Sequence, residues 1–351
     1  MTPFDAPEFA GHEHVSFFTD DGTGLRAIVA VHSTVLGPAA GGCRLWPYPS
    51  TAAALADVLR LSEAMTWKNA LAGLPLGGGK SVVIADPSRR TPELLAAFAD
   101  CVERLGGRYW TAEDVGVGID EVEVLARHTR YVFGLQHSGQ KTGDPSPFTA
   151  RGTFRGLRAA VRHRLGRDDL DGLRVAVQGV GHVGFELCRQ LHEAGAKLTV
   201  ADTNPAAVAR AEAAFGAIGV PAASIQDADV DVYSPCALGG TIDADTPNRL
   251  RARVIAGAAN NQLAHSAIGE ALRARGIVYA PDFVINAGGM LNAGCDILGR
   301  YDREDVLRRI DLIHDRTLEV LARADRDDVS TEAAALAMAR ERLRTAAGAP
   351  R

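Results

Sequence analysis

The spacing of apolar positions changes character twice along the 351-residue chain. In the first stretch, up to about residue 145, HVSFFTD and GLRAIVAVHST are short runs rich in β-branched and aromatic residues. They flank the turn Asp20-Asp21-Gly22, and they predict strands. A glycine-rich turn, GPAAGGCR, follows. Residues 51–70 then adopt a helical period, with Ser50 or Thr51 as the cap and with Val58, Leu61, Met65 and Lys68 on one face. SVVIADP (81–87) reads as a strand and TPELLAAFADCVERL as a second helix.

From about 146 to 325 short apolar runs alternate with helical ones. LRVAVQG (173–179), a helix to Ala194 and KLTVAD (197–202) form one βαβ unit. DVDVYSP (229–235), RVIAGAA (253–259) and GIVYAP (276–281) supply further buried strands. Such alternation predicts a parallel, doubly wound sheet. The stretch 143–152, GDPSPFTARG, is dense in Pro, Gly and Ser and reads as a hinge. A tail from about 326 to 351 is helical, with Ser330 or Thr331 capping TEAAALAMARERLRTAA. It either packs back on the first domain or sits at a subunit contact. The pattern therefore predicts an α/β protein of two domains, 1–145 and 146–325.

Composition narrows the classes. Hydrophobic residues make up 46% and the formal net charge is -5, with Lys and Arg scattered, so neither a nucleic acid nor a membrane is an expected partner. The five cysteines, Cys43, Cys101, Cys188, Cys236 and Cys295, are odd in number and show no CxxC spacing. Neither a disulfide framework nor a zinc site is expected. The acidic, polar start MTPFDAPEFAGHEH lacks the basic and apolar regions of a signal peptide, and a cytoplasmic location is expected.

Gly179-Val180-Gly181-His182-Val183-Gly184 follows a predicted strand and opens a predicted helix. That is the context in which three glycines serve a tight turn, close approach of backbone to a pyrophosphate, and packing of helix on strand. The next strand ends at Asp202. Its carboxylate suits the adenosine ribose hydroxyls and would repel a 2′-phosphate, which favours NAD over NADP.

Lys68 shares an otherwise apolar helix face. A buried ammonium needs an anion, and a substrate carboxylate is a natural one. Lys80 ends Gly77-Gly78-Gly79-Lys80. A P-loop is excluded because Leu74 stands where its first glycine belongs and because a strand follows instead of a helix. The glycines are expected to bring backbone close to a ligand. A second ammonium beside Lys80 would lower its pKa and make it a usable general base. Asp114, in a loop after GRYWT, is read either as catalytic or as a helix cap.

Taken together, LGPAAGGCR (36–44), MTWKNALAGLPLGGGKS (65–81), GRYWTAEDVG (107–116), GDPSPFTARG, VQGVGHVG (177–184), SPCALGG (234–240), AGAANNQL (256–263) and APDFVINAGG (280–289) resemble the glutamate, leucine, phenylalanine and valine dehydrogenase family. Within the family the chain looks closest to the leucine and valine enzymes. The resemblance implies an N-terminal substrate and oligomerisation domain, a Rossmann-type NAD domain and a homo-oligomer. It implies that Lys68 holds the substrate carboxylate, that Lys80 activates water and that Asp114 shuttles protons to and from the amino group. Gly41 and Gly42 would lie beside the substrate. Thr149, Cys236, Ala237 and Asn260 would lie at the cofactor, and Asn261 near nicotinamide and substrate. The two domains would close to exclude water before hydride transfer.

By the same resemblance Ala40, Ala112, Met290 and Ala293 set side-chain specificity. None supplies the cation that a γ-carboxylate needs, so the expected substrate is leucine, isoleucine or valine, with phenylalanine the runner-up. Two rivals differ in kind. A 2-hydroxy-acid dehydrogenase would rely on a histidine acid/base, and no histidine lies in a matching loop. A non-catalytic NAD-binding sensor would have no use for Lys68, Lys80 and Asp114.

Overall fold

A computed structural model describes residues 3–135, 142 and 144–348. Gly143, the first residue of the predicted hinge, lies outside them. The chain divides into two compact units. The first takes the chain up to Asp144, residues 292–301 and the chain from Ala339. The second takes Pro145–Leu291 and Asp302–Met338.

The first unit contains β1 (His14–Asp20), β2 (Leu25–Ser33), β3 (Ala39–Ala40), β4 (Cys43–Trp46), α1 (Thr51–Ala72), β5 (Gly77–Ile84), α2 (Pro92–Arg104), β6 (Tyr109–Trp110) and α3 (Ile119–Ala126). The sheet order is β1-β2-β5-β3-β6, with β4 also on β5. β1, β2 and β5 pair antiparallel, and β3, β4 and β6 join parallel. Along β2, Ile28 and Ala30 pack with Ala54, Leu55, Val58 and Leu59 of α1. The alternate residues Ala27, Val29 and Val31 pack with Leu94, Phe98 and Val102 of α2. A period of two with both faces buried is what a sheet between helices requires.

Three local expectations change. The turn GPAAGGCR holds β3 and β4 on either side of Gly41-Gly42. β5 starts at Gly77, four residues before the predicted strand. Its glycines serve packing within the unit: a Cβ on Gly78 would lie 2.1 Å from Thr66 Oγ1 and 2.2 Å from Thr66 N on α1, and one on Gly79 would lie 2.7 Å from the Tyr109 ring. Helix and sheet touch backbone to backbone there, which only glycine allows. Ser50 is the α1 cap, accepting from the Ala53 N–H, and Gly73 ends the helix at φ 76°.

The second unit begins with α4 (Ser146–Leu165), followed by β7 (Arg174–Gln178), α5 (His182–Glu193), β8 (Lys197–Ala201), α6 (Pro205–Phe215), β9 (Ile218–Gly219), β10 (Val232–Pro235), α7 (Thr246–Arg249), β11 (Val254–Ile255), α8 (Ala267–Ala274), β12 (Val278–Tyr279) and α9 (Asp282–Ile285). Next come α10 (Gly288–Ile297), α11 (Arg303–Asp311), α12 (Ile313–Asp327) and α13 (Thr331–Ala347). Part of the predicted hinge is thus helix. Pro147 falls in the first turn of α4, where a missing N–H costs nothing. The sheet is parallel, in the order β12-β11-β10-β7-β8-β9. Numbered within this unit the order is 6-5-4-1-2-3, the doubly wound arrangement, and the switch point lies between β7 and β10.

The predicted strand 253–259 pairs only at Val254–Ile255. Gly257 is pressed on Pro235, whose carbonyl oxygen would stand 2.1 Å from an added Cβ, and the chain leaves the ladder there. Ser330 Oγ accepts from the Ala333 N–H and caps α13. In the first unit, Arg340 of this helix lies 5.6 Å over the Trp67 ring. No helix among the described residues is long and apolar enough to cross a membrane.

The contact between α1 and β5 gives a direct test. Gly78→Ala should cost about 2 kcal/mol or more, because backbone faces backbone and neither can yield. Thermal unfolding should show a midpoint lower by at least several degrees, and an unchanged midpoint would refute the packing described for Gly78.

Candidate functional site

Alternation along β5 places Lys80 on the same face as Gly78 and Val82, the face covered by α1. Its side chain is buried, with the residue 6% exposed. A counter-charge is built in beside it: Lys80 Nζ lies 3.2 Å from Asp114 Oδ1. The reason is desolvation, since a buried ammonium without a counter-charge is costly.

Asp114 does not cap a helix. Its backbone pairs with Val117 across a tight loop, and its second oxygen accepts from Arg44 Nε at 2.8 Å. Arg44 in turn binds Asp57 of α1 at 2.9 Å, and the Tyr48 hydroxyl donates to Asp57 at 2.6 Å. A chain of alternating charge thus runs Lys80, Asp114, Arg44, Asp57. Burial pushes the Asp114 carboxyl up, but Lys80 and Arg44 outweigh it and hold it below the usual carboxylate range. Asp57 is likewise held low against burial by Tyr48 and Arg44.

Sequence reading missed Arg44, Asp57 and Tyr48. Two signals were available. Arg44 closes the quoted run LGPAAGGCR, and Asp57 lies eleven residues before Lys68, three turns back on the same side of α1.

Gly41 and Gly42 lie beside this pair. Gly42 abuts Asp114, whose Cβ would be 2.9 Å from an added Cβ. Gly41 abuts the Gly79 carbonyl and Met65 of α1. Lys68, one turn beyond Met65, is half-buried. Ala40 and Ala112 are buried, Ala40 pairing with Gly78 and Trp110, and Ala112 O accepting from the Cys43 N–H at 2.9 Å. The Tyr109 hydroxyl donates to Gly41 O at 2.7 Å and fixes the turn from below. Ala293 is half-buried near Gly134.

In the second unit the glycine motif sits at the end of β7, beside the switch point. Gly179 has φ 94°. A Cβ on Gly184 would stand 2.0 Å from the Gly179 carbonyl oxygen, so helix α5 and the turn touch as the motif demands. Gly181 caps α5 without a side chain, and a Cβ there would meet nothing within 4 Å. The exposed His182 and half-buried Val183 open the helix. Bare helix N–H groups with clear space in front suit a pyrophosphate. Asp202, just past β8, accepts from the Val180 N–H at 2.8 Å and the Asn204 N–H at 2.9 Å, which ties it to the same turn.

Across the switch point, Cys236 N–H donates to Gln178 O at 2.7 Å, and Ala237 packs on Gly179. Asn260 and Asn261 lie in the loop after β11, on the same edge of the sheet. Thr149 stands on α4 against Gly289, with its hydroxyl donating to Pro145 O at 3.1 Å, and Met290 is half-buried on α10. Behind the loop after β12, Glu332 of α13 carries a buried Oε2 without a hydrogen-bond partner. Burial first, and the nearby Asp282 second, push its carboxyl up to about 7. Cys43, Cys101, Cys188, Cys236 and Cys295 are free thiols.

Comparison with known proteins agrees with the two-domain α/β fold. The family described as Glu/Leu/Phe/Val dehydrogenase, dimerisation domain, matches residues 11–131. The family described as Glutamate/Leucine/Phenylalanine/Valine dehydrogenase matches residues 206–349. Leucine dehydrogenase of Geobacillus stearothermophilus is 47% identical over 98% of this chain and 94% of its own length. Valine dehydrogenase of Streptomyces virginiae is 43% identical over 95% of this chain and 94% of its own. The crystal structure of L-tryptophan dehydrogenase from Nostoc punctiforme superposes with a TM-score of 0.85 at 41% identity, covering 96% of this chain and 97% of that one.

Glu332 gives the second unit a pH signature. Its proton is held in the folded state up to about pH 7, whereas an unfolded glutamate releases it near 4.5. Its contribution is therefore complete below the unfolded value and is lost as pH rises through 7. Melting midpoints measured from pH 5 to 8 should fall more steeply for the native chain than for Glu332→Gln. Parallel curves would remove the assignment.

Proposed function

The chain belongs to the glutamate/leucine/phenylalanine/valine dehydrogenase family, and from that premise we propose that it deaminates leucine, isoleucine or valine reversibly, with NAD, to the 2-oxo acid and ammonia. It is an amino-acid dehydrogenase of a family that uses a nicotinamide dinucleotide. The choice of NAD rests on Asp202, whose carboxylate beside the glycine turn suits a ribose diol and repels a 2′-phosphate. The bound dinucleotide supplies the hydride acceptor. The single observation that carries the reaction is the pairing of the buried Lys80 with the half-buried Asp114.

The protein's own residues then do the following. Lys68 holds the substrate carboxylate and so orients the Cα–H bond. Lys80, once its ammonium has passed a proton to Asp114, takes one from the water that adds to the imine carbon and then, protonated again, stabilises the resulting oxygen. Asp114, ionised and 3.2 Å from the Lys80 amine, exchanges protons with the amino group as ammonia departs. Arg44 keeps the carboxylate aimed. Tyr109, through the Gly41 carbonyl, keeps the adjoining turn in place.

The apolar substrate is supported by Ala40, Ala112, Ala293 and Met290, none of which offers a cation, and by the 47% identity to a leucine dehydrogenase. A second reading, an aromatic amino acid such as phenylalanine, has support of its own. Three of those four positions are alanine, and an L-tryptophan dehydrogenase is 43% identical. One methylene changes discrimination by only about 1–3 kcal/mol, so the substrate range is broad. A homo-oligomer built through the first unit fits the dimerisation-domain match, and the free thiols fit the reducing cytoplasm.

Initial rates of NAD reduction with a panel of amino acids and 2-hydroxy acids should be highest for the branched-chain amino acids. Faster turnover of phenylalanine or of a hydroxy acid would displace the assignment. Lys80→Ala should retain NAD binding by fluorescence titration and lose at least about 100-fold in kcat. Native-like turnover would take Lys80 out of the mechanism.

A further inference from the structure

Asn261 is one of two residues other than glycine with a left-handed backbone among those described, at φ 51°. Asparagine tolerates that region better than most residues, but it still has to be held there. Its N–H donates to Asp282 Oδ2 at 2.8 Å, and its carbonyl accepts from the Gly240 N–H at 2.8 Å. The fully buried Gln262 donates to Gly257 O at 2.7 Å and to Ala259 O at 3.0 Å, closing the loop on itself. One turn of α9 after Asp282, Asn286 Nδ2 donates to Asn260 Oδ1 at 2.8 Å and to Ala258 O at 3.1 Å. The loops that leave β10, β11 and β12 at the switch-point edge are thus knotted together through α9.

Asp282 is 7% exposed, and its other oxygen accepts from the buried Tyr279 hydroxyl at 2.6 Å. Both of these donors need an acceptor. Both carboxyl oxygens of Asp282 are therefore taken up by this network, and its function is geometric.

We propose that Asp282, oriented by Tyr279 and assisted by Asn286, is a positioning residue that sets the left-handed Asn261 and its neighbour Asn260 at the nicotinamide end of the dinucleotide site. This rests on the reading of Asn260 and Asn261 as nicotinamide-side residues. It adds the group that holds them, which itself touches neither cofactor nor substrate.

The test separates the two ends of the cofactor. ADP-ribose meets the glycine turn and Asp202 but carries no nicotinamide. Asp282→Ala should raise the KM for NAD at least about 10-fold and lower kcat, while the Kd for ADP-ribose stays within about 2-fold of the native value. Asp282→Asn keeps one acceptor oxygen for the Asn261 N–H, and the Tyr279 hydroxyl can turn to accept from its amide. It should recover most of the loss. If ADP-ribose and NAD affinities fall together, Asp282 is only structural and the proposal is overturned. If Asn261→Ala weakens NAD while Asp282→Ala does not, the proposal fails and the reading of Asn261 survives. If Asn261→Ala leaves NAD kinetics unchanged, that reading fails and takes the proposal with it.

Discussion

A charged amine on the inner face of a sheet is tolerated only when its counter-charge is built in, and the first unit is organised around that requirement at Lys80. Asp114 answers it, Arg44 balances Asp114, and Asp57 balances Arg44. These residues come from β5, the loop after β6, β4 and α1. The charges can meet only if α1 lies tightly on β5, which the bare Gly78 permits, and if Gly42 lets the Asp114 loop close on β4. Packing and chemistry are therefore one problem. The same glycines that close the core bring the acid to the base.

The second unit solves a different problem with the same means. Its parallel sheet ends several strands along one edge, and loops there must be irregular yet held. Gly179, Gly181 and Gly184 shape the first of them. Asp202 ties the turn from β8, and Asp282 and Asn286 fix the Asn260-Asn261 loop from β12. In each case a carboxylate or amide after one strand binds the backbone or side chain of the loop beside it. Burial makes those bonds strong and makes their loss costly.

Electrostatics also divides the acids by task. Asp114 is kept ionised by two cations despite burial, as a proton carrier paired with an amine must be. Glu332, raised by its burial and next by the Asp282 carboxylate, with no cation to offset them, is held protonated to near neutrality. The difference lies in the neighbours and not in the depth of burial.

Much of this was legible in the residues. Period two along β2, the helical period of α1 with its Ser50 cap, and the alternation of strands and helices after residue 146 are local properties of the chain, and they specify two α/β layers. The glycine motif and Asp202 could be read because turn, helix start and strand end lie close in sequence. Lys80 and Asp114 could be suspected singly. What the residues could not disclose is which opposite charge each one meets. The partner of Lys80 lies on another strand's loop, Arg44 lies 70 residues from Asp114, and Asn261 is held by a residue after the neighbouring strand. Such pairings follow from how helices and strands stack in space. Linear spacing carries no record of them, and only the folded arrangement turns a scattered set of charges and amides into a site.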